Sequence, residues 1–352
     1  MATKKKVVIQ LPGISGVVAT KDLYEIESEV ISSIGADLVE VTEYNTEKFL
    51  EQAGDAHAII TSWGRRFPAN LIEQLKNCEV IAVGSIGVDM VDIEAATKAG
   101  ILVTNTPDVF IEEVADQTMT LLLGVARKTK LMARLVEEGD WWDARSICTQ
   151  VPRLRGQTLG LVGFGNVARA TARRAQPFGL RVIAYDPYVA ETVMCDQGVD
   201  PVNHKELLEQ SDFLSVHTPL NEETRHLIGT EAFKAMKSTA SLINTARGPI
   251  IDEQALIKAL QTGEIAAAGI DVAEEEPPAE DNPLRAMDNV LVTPHAAAAT
   301  TRMRPEARRR AAREVALILS GRWPMSCVNP SVIPEKNLTR WQPYSMDRGP
   351  GL

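Results

Sequence analysis

The chain reads Thr158-Leu159-Gly160-Leu161-Val162-Gly163-Phe164-Gly165-Asn166-Val167-Ala168 and, after a helical pattern, Arg181-Val182-Ile183-Ala184-Tyr185-Asp186. A first apolar run therefore ends in glycines, and a second one ends in an acidic residue. Gly163 permits a tight turn, Gly165 lets the backbone approach a pyrophosphate, and Ala168 still allows the helix to pack closely on the strand. The start of the helix offers unpaired N–H groups and a partial positive charge to phosphates. This stretch predicts a βαβ unit that binds a dinucleotide.

Asp186 indicates which dinucleotide to expect. Its carboxylate, at the end of the second strand, can accept hydrogen bonds from a ribose 2′-OH and would repel a 2′-phosphate. The next residues, Pro187 and Tyr188, bring no basic side chain that would favour a phosphorylated ribose. The sequence therefore predicts NAD rather than NADP as the cofactor, with Gly163, Gly165 and Asp186 among the residues that bind it.

Composition argues against several classes of partner. The 352 residues carry a net charge of −10, which disfavours nucleic acid and anionic membranes. No segment approaches the length of a membrane span, and the apolar run at residues 7–11 is too short for a secretion signal. The four cysteines show neither paired nor metal-like spacing. We expect a cytoplasmic protein with reduced thiols, a small-molecule substrate and no metal.

Short apolar runs alternate with amphipathic segments along most of the chain, which predicts parallel α/β structure. Residues 112–136 predict one continuous helix that links two domains, and Trp141-Trp142 follows it. The six strands predicted after this helix suit a doubly wound sheet. The predicted strands cover residues 7–11, 36–41, 58–61, 80–83, 102–105, 159–162, 181–185, 213–217, 241–244, 267–271 and 290–293.

We therefore expect two doubly wound α/β domains, Rossmann or flavodoxin-like, with the active site in the cleft between them. Residues 1–107 and 297–330 would form the substrate-binding domain, 108–296 the NAD-binding domain, and 331–352 a tail. The last predicted helix, 301–320, contains Arg308-Arg309-Arg310. These arginines are predicted to form a solvated face, because an apolar stripe at helical spacing accompanies them.

Polar side chains at strand ends could carry chemistry, because ligands bind at the carboxyl edge of a parallel sheet. His217 is expected to line the cofactor pocket rather than to move a proton. His295 ends the last strand, and Arg247 could bind a carboxylate there through its planar fork. A glutamate such as Glu276 beside His295 would stabilise the protonated imidazole. Spacing alone leaves alternatives open: Arg247 could be a helix cap or a surface ion pair, and Glu276 could belong to an exposed acidic run.

Together these motifs resemble those of the D-isomer-specific 2-hydroxyacid dehydrogenases, over nearly the whole chain to about Asn329. The branch they resemble most is that of C-terminal-binding-protein-like and phosphoglycerate dehydrogenase-like members. The resemblance implies NAD(H)-dependent interconversion of a 2-hydroxy acid and a 2-oxo acid, and a homodimer built around the long helix and Trp141-Trp142. The segments that carry it are Gly87-Val88-Asp89, Asn105-Thr106-Pro107, Glu113-Val114-Ala115-Asp116, residues 219–228, 244–248 and 271–277, and Thr293-Pro294-His295.

The resemblance also implies a role for each matching position. Arg247 would anchor and polarise the substrate, Glu276 would pair with His295, and His295 would donate the proton in reduction or accept it in oxidation. Backbone N–H groups around Ser85-Ile86-Gly87 would hold the substrate carboxylate from the other domain. Besides His217, the residues that would meet the cofactor are Asn166, Val167, Asp186, Thr218, Pro219, Thr224, Thr245, Ala246, Arg247, Asp271 and His295.

Departures from the family pattern bear on the substrate. Val83 and Gly84 stand where relatives often carry a basic and an aromatic residue, and Gln117 stands where many have histidine. After His295 come four alanines, residues 296–299, where relatives often carry a bulky aromatic residue. Because small residues leave room, the sequence predicts a substrate larger or more apolar than glyoxylate.

Two other functions stay open on the sequence. An NAD(H)-sensing module that works by recruiting partners, without significant turnover, would not need the complete set of Arg247, Glu276 and His295. An oxidoreductase that acts on formate or phosphite would be expected to carry an amide-bearing residue where Glu276 stands. Turnover assays with these donors distinguish the three functions.

Overall fold

The computed structural model describes residues 4–10, 24–62 and 64–341. The chain divides into two compact units: the first unit is Met1–Val109 with Thr300–Leu352, and the second unit is Phe110–Ala299. Each unit has its own sheet, in which the strands pair in parallel, and helices pack on these sheets. The predicted fold class, two doubly wound α/β domains, is therefore confirmed.

The first unit begins with alternating strands and helices. These are β1 (Lys6–Gln10), α1 (Glu25–Ser33), β2 (Asp37–Glu40), α2 (Thr46–Ala53), β3 (Ala58–Thr61), α3 (Ala69–Ile72), β4 (Val80–Val83), α4 (Ile93–Lys98) and β5 (Leu102–Thr104). The strand order is β2-β1-β3-β4-β5. Strands β3, β4 and β5 are buried at every residue, as expected for parallel strands whose two faces are both covered.

The second unit begins with helices and continues as a larger doubly wound sheet. Its elements are α5 (Ile111–Ala126), α6 (Thr129–Glu137), α7 (Trp141–Ile147), β6 (Thr158–Val162), α8 (Asn166–Ala175), β7 (Arg181–Tyr185), α9 (Glu191–Cys195), β8 (Asp200–Pro201), α10 (His204–Gln210), β9 (Phe213–Val216), α11 (Thr230–Ala235), β10 (Ser241–Asn244), α12 (Glu253–Thr262), β11 (Ala267–Ile270), α13 (Pro283–Ala286) and β12 (Val290–Val292). The strand order is β12-β11-β10-β9-β6-β7-β8. The order of strands reverses between β6 and β9, and such a switch point is where ligands bind in open α/β sheets.

Helix α14 (Met303–Leu319) returns the chain to the first unit. Its apolar stripe is buried, with Ala311 and Val315 at 1% and 0% exposure. The prediction of a solvated arginine face was wrong in part: Arg308 forms an ion pair with the buried Glu27, and Arg310 with the buried Glu314. These arginines are held because a buried carboxylate requires a partner.

The helix predicted over residues 112–136 is interrupted. Helix α5 ends at Ala126, Lys128 adopts a left-handed backbone with φ 51°, and α6 begins at Thr129. The Thr129 hydroxyl donates to the Gly124 carbonyl over 3.1 Å, and this bond occupies one acceptor of the last turn of α5. Residues 127–128 contain neither glycine nor proline, which usually mark the end of a helix, so nothing in the sequence pattern indicates the break.

Two smaller expectations also change. The second unit has a seventh strand, the two-residue β8, which pairs with β7 at the edge of the sheet and is too short to show a pattern. The tail predicted from residue 331 begins as ordered structure, because Pro330–Glu335 forms a 3₁₀ helix that buries Val332 and Ile333 in the core of the first unit. Residues 342–352 of that tail lie outside the described residues.

Candidate active site

The turn between β6 and α8 has the backbone that the glycine pattern predicts. Gly163 has φ 91°, and a Cβ there would lie 3.0 Å from the Thr218 methyl group and 3.1 Å from the His217 carbonyl carbon. A Cβ on Gly165 would meet nothing within 4 Å, so this glycine faces open space at the start of α8. The first turn of α8 has no side-chain cap, which leaves its N–H groups available to an anion.

Asp186 lies at the carboxyl end of β7, beside this turn. Its Oδ2 accepts from the Phe164 N–H and its Oδ1 from the Tyr188 N–H, each over 2.8 Å. Across the turn, Thr218 Oγ1 is buried and has no hydrogen-bond partner among the described residues. A buried hydroxyl without a partner is costly unless a ligand satisfies it. Gly165, Asp186 and the Thr218 hydroxyl therefore fit the pyrophosphate and ribose of a dinucleotide.

His217 follows β9 directly and bonds to Ser215 Oγ through Nε2 over 2.9 Å. Burial lowers the pKa of His217 well below its ordinary value, so the ring is neutral at physiological pH. The same loop continues to Thr224, whose hydroxyl donates to the Pro219 carbonyl over 2.6 Å. These contacts fix the loop that carries His217, Thr218 and Pro219 next to Gly163. Because its ring is neutral and hydrogen-bonded, His217 is unsuited to proton transfer.

Arg247 lies in the turn after β10, which the buried Asn244 organises. The Asn244 amide donates to the Arg247 carbonyl over 2.9 Å, and its Oδ1 accepts from the Ala246 N–H over 3.0 Å. A Cβ on the next residue, Gly248, would lie 1.8 Å from the Ala273 carbonyl oxygen. Only glycine allows this approach, and it brings the Arg247 turn against the loop that follows β11. Thr245 completes the turn through a 2.9 Å bond to Thr118.

His295 and Glu276 form the pair that the sequence suggested. His295 Nδ1 lies 2.8 Å from Glu276 Oε2, and the two side chains are 47% and 40% exposed. Burial by itself would raise the pKa of Glu276, but the hydrogen bond with His295, the nearby charges of His295 and Arg247, and the Ala273 N–H outweigh it and hold that pKa below its usual range. Glu276 is therefore ionised, and Nε2 of His295 is left for other contacts.

The backbone at His295 is left-handed, with φ 51°. This conformation is uncommon for a residue other than glycine and is held only by surrounding contacts. Asp271 supplies them: its carbonyl accepts from the His295 N–H, and its carboxylate, which is almost fully buried, accepts from the N–H groups of Ala296 and Ala297 over 2.9 and 2.8 Å. The side chain that was predicted to meet the cofactor thus fixes the turn that carries His295.

Two further residues support Asp271. The Thr293 hydroxyl donates to Asp271 Oδ1, and Gln117 Nε2 donates to Thr293 Oγ1 over 3.1 Å. Sequence reasoning noted Gln117 as a departure from the family but assigned it no role. The sequence does not reveal its contact with Thr293, just after β12, because this bond joins residues that are 176 positions apart.

A second histidine–glutamate pair lies in the same unit. His226, also left-handed with φ 52°, lies 2.7 Å from Glu274 through Nε2. Glu274 also accepts from the N–H of Glu253, the first residue of α12. This pair therefore joins the start of a helix to a loop, which is a structural role.

The predicted substrate loop Ser85-Ile86-Gly87 follows β4 in the first unit. The Ser85 hydroxyl donates to the Gly87 carbonyl over 2.8 Å, and the Ile86 carbonyl accepts from the Asn105 amide over 2.7 Å. These bonds use carbonyl groups of the loop, so they hold its shape while leaving its N–H groups to other contacts.

The described residues contain no group of three or more His, Cys, Asp or Glu side chains that could hold a metal ion. They also contain no helix that is long and apolar enough to cross a membrane.

His295 paired with Glu276, with the charge of Arg247 nearby, lies in the same unit as a dinucleotide site. This combination is typical of an NAD-dependent oxidoreductase. Residues 119–297 match the family model described as D-isomer specific 2-hydroxyacid dehydrogenase, NAD binding domain. The chain is 39% identical to a glyoxylate reductase of Korarchaeum cryptofilum, over 81% of this chain and 86% of that protein. The chain belongs to the D-isomer-specific 2-hydroxyacid dehydrogenase family, and its cofactor is NAD.

Two other similarities extend over most of the chain. It is 37% identical to a D-3-phosphoglycerate dehydrogenase of Methanocaldococcus jannaschii, over 94% of this chain but only 62% of that protein. The crystal structure of a glyoxylate reductase from Paecilomyes thermophila has a TM-score of 0.82 at 30% identity, and it covers 93% of this chain and 99% of that one. The chain thus spans less than two thirds of the dehydrogenase but nearly all of the reductase structure.

Proposed function

We propose that this chain reduces 2-oxo acids to D-2-hydroxy acids with NADH, and catalyses the reverse oxidation, with His295 as the acid/base. The observation that carries the proposal is the 2.8 Å pair of His295 with the ionised Glu276. An imidazole that a carboxylate holds in place can give a proton to a carbonyl oxygen and take it back, which the reduction and its reverse require.

Each step of reduction has a side chain to perform it. NADH, when bound, supplies the hydride that reaches C2 of the substrate. Arg247 binds the carboxylate and polarises the carbonyl, since its guanidinium offers two parallel donors and a fixed charge. His295 transfers its proton to the carbonyl oxygen as that oxygen gains charge. Glu276 stabilises the imidazolium before the transfer, and Asp271 positions the turn.

We extend the proposal to the substrate. The loop Ser85-Ile86-Gly87 is assigned to the substrate carboxylate, because its N–H groups make no bond within the loop. The four alanines at 296–299 are assigned to the space around the substrate side chain. Relatives of this chain include glyoxylate reductases, whose named substrate carries hydrogen at that position. We infer a substrate with a larger, apolar side chain.

A panel of 2-oxo acids tests both the activity and the substrate size. We expect kcat/KM to rise from glyoxylate to a branched or aromatic 2-oxo acid by about tenfold or more, since each buried methylene contributes about 0.8 kcal/mol. NADH absorbance loss at neutral pH measures it, with formate and phosphite plus NAD as controls. A preference for glyoxylate would refute the size assignment and leave the reaction intact, whereas turnover only with formate or phosphite would refute the reaction itself.

Replacing Glu276 with glutamine should lower kcat for 2-oxo acid reduction. A neutral amide can still accept the Nδ1 hydrogen bond of His295, but it lacks the charge that stabilises the imidazolium. We expect kcat to fall by about ten- to a hundredfold, as for loss of a hydrogen bond to a charged group. Steady-state kcat at one neutral pH for the wild type, Glu276→Gln and the exposed neighbour Glu275→Gln measures it. Equal kcat for all three would contradict the pairing role.

We also propose that two copies of the chain associate through α6 and α7, in the cytoplasm. The four cysteines are free thiols, which suits a reducing compartment. Helix α6 has no fully buried residue, and its Val136 is 45% exposed; Trp141 and Trp142, at the start of α7, are 59% and 77% exposed. Large exposed apolar side chains of this kind favour burial against a partner.

Sedimentation equilibrium should give twice the 38.4 kDa mass of one chain. Trp142→Glu together with Val136→Glu should shift the mass toward the monomer, because each places a charge in an apolar contact. Phe178→Glu, which alters an exposed apolar side chain elsewhere in the second unit, should leave the mass unchanged. A wild-type mass equal to one chain would refute the dimer.

A further inference from the structure

A hydrogen bond joins two loops at the carboxyl edge of the second unit's sheet. The Tyr188 hydroxyl, in the loop after β7, donates to Glu223 Oε2, in the loop after β9, over 2.5 Å. The Tyr188 side chain is otherwise open, at 78% exposure. The pKa of Tyr188 is raised by the bond with Glu223 and by the charge of that carboxylate, so the hydroxyl stays a donor throughout the neutral range.

The two ends of this bond lie next to residues already assigned to the cofactor. Tyr188 donates its N–H to Asp186, the residue expected to hold the adenosine ribose. Glu223 precedes Thr224, whose hydroxyl holds the Pro219 carbonyl. Thr218, just before Pro219, lies against the Gly163 turn. The contacts therefore form a closed ring from the phosphate-binding turn through Asp186, the bridge and the loop after β9, back to that turn.

We propose that Tyr188 and Glu223 form a clasp over the adenosine half of NAD, which must open each time the cofactor enters or leaves. The tyrosine ring provides an apolar surface next to the ribose site, and the hydrogen bond to Glu223 keeps it there. With the pyrophosphate at the Gly163 turn and the ribose at Asp186, the adenosine half lies beside the loops that carry Tyr188 and Glu223. The inference rests on NAD binding alone and is independent of the catalytic roles proposed above.

The bridge contributes little to the fold, because an exposed tyrosine–carboxylate contact in high dielectric is weak. A variant that lacks it should keep its unfolding midpoint, so that an effect on the cofactor cannot be attributed to lost structure. The chain also offers a matched control. Glu222 is the adjacent acid on the same exposed loop, and no hydrogen bond joins it to Tyr188.

Dissociation of NADH from Tyr188→Phe, Glu223→Ala, the double variant and the control Glu222→Ala tests the clasp. Stopped-flow fluorescence during displacement by excess NAD gives the rate. We expect about three- to tenfold faster release for each clasp variant, as for loss of one exposed hydrogen bond of ordinary net strength. The double variant should be no faster than either single one, and Glu222→Ala should match the wild type.

The binding of two fragments of the cofactor shows which half of NAD the clasp contacts. ADP-ribose should bind several-fold more weakly to the clasp variants than to the wild type, and reduced nicotinamide mononucleotide should bind equally to all. Equal NADH release from Glu223→Ala and Glu222→Ala would overturn the proposal. So would an equal loss for the two fragments, which would indicate a general disturbance of the unit rather than a clasp over adenosine.

Discussion

Replacing His295 with alanine should lower kcat for 2-oxo acid reduction by about 10²–10⁴-fold, the usual effect of losing a positioned acid/base. NADH affinity should be largely kept, because the phosphate-binding turn and Asp186 hold the cofactor independently of this side chain. Steady-state rates and NADH fluorescence titration measure the two quantities. An equal loss of NADH affinity and turnover would contradict proton transfer by His295.

The left-handed backbone at residue 295 calls for a second variant. Alanine tolerates that conformation poorly, whereas asparagine adopts it readily, so His295→Asn separates loss of the imidazole from distortion of the turn. Both variants should lose activity to a similar extent. His226→Ala is the matched control, since His226 is also left-handed and paired with a glutamate, and its rate should stay close to that of the wild type.

Replacing Arg247 with alanine should lower kcat/KM by about 10²–10³-fold, because truncating one partner of a close charge pair typically costs about 2–5 kcal/mol. The loss should appear in KM through the substrate carboxylate and in kcat through the polarised carbonyl. Arg247→Lys keeps the charge but loses the planar fork, so it should recover only part of the loss.

One outcome for the Arg247 variants would contradict substrate binding by this side chain. If Arg247→Ala kept the wild-type kcat/KM, the guanidinium would have no contact with the substrate and would serve as a surface ion pair, the alternative that the spacing left open. NADH binding should be unchanged in both variants, which shows that the turn after β10 is intact.

The sequence predicted those parts of the site that depend on strand ends. Gly163, Asp186, Arg247 and His295 each follow an apolar run, and parallel strands bring their carboxyl ends to one edge of a sheet. Local pattern and a general rule of topology are sufficient for such residues. The pairing of His295 with Glu276 also agrees with the family resemblance, which supplied the partner that spacing alone left open.

The sequence did not predict contacts that depend on side chains meeting across long separations. Gln117, Thr293 and Asp271 form a chain of hydrogen bonds that supports the His295 turn, yet each has an ordinary helical or strand-end environment in sequence. The sequence predicted Asp271 at the cofactor, which stays a prediction, but it did not predict that the Asp271 carboxylate accepts from the N–H groups of Ala296 and Ala297. Which of several nearby donors an acid accepts from is decided by packing, which periodicity does not encode.

The arginine run of α14 and the break after α5 failed for a related reason. Arg308 and Arg310 look like a solvated basic face until the buried glutamates they meet, Glu27 and Glu314, are known. The break at Lys128 has neither glycine nor proline to mark it, and a side-chain bond from Thr129 to the Gly124 carbonyl accompanies it. The Arg308–Glu27 contact joins residues 281 positions apart, which sequence periodicity does not encode, whereas the Thr129 bond is local but has no distinctive sequence pattern.

The chirality of the product shows whether this chain carries out stereospecific 2-oxo acid reduction that depends on His295. Wild-type protein, NADH and a 2-oxo acid are incubated to completion, and the hydroxy acid is resolved on a chiral column. We predict one mole of D-2-hydroxy acid for each mole of NADH consumed, with the yield kept in His226→Ala and lost in His295→Ala. NADH that binds without being consumed, or an L-hydroxy acid product, would contradict this function.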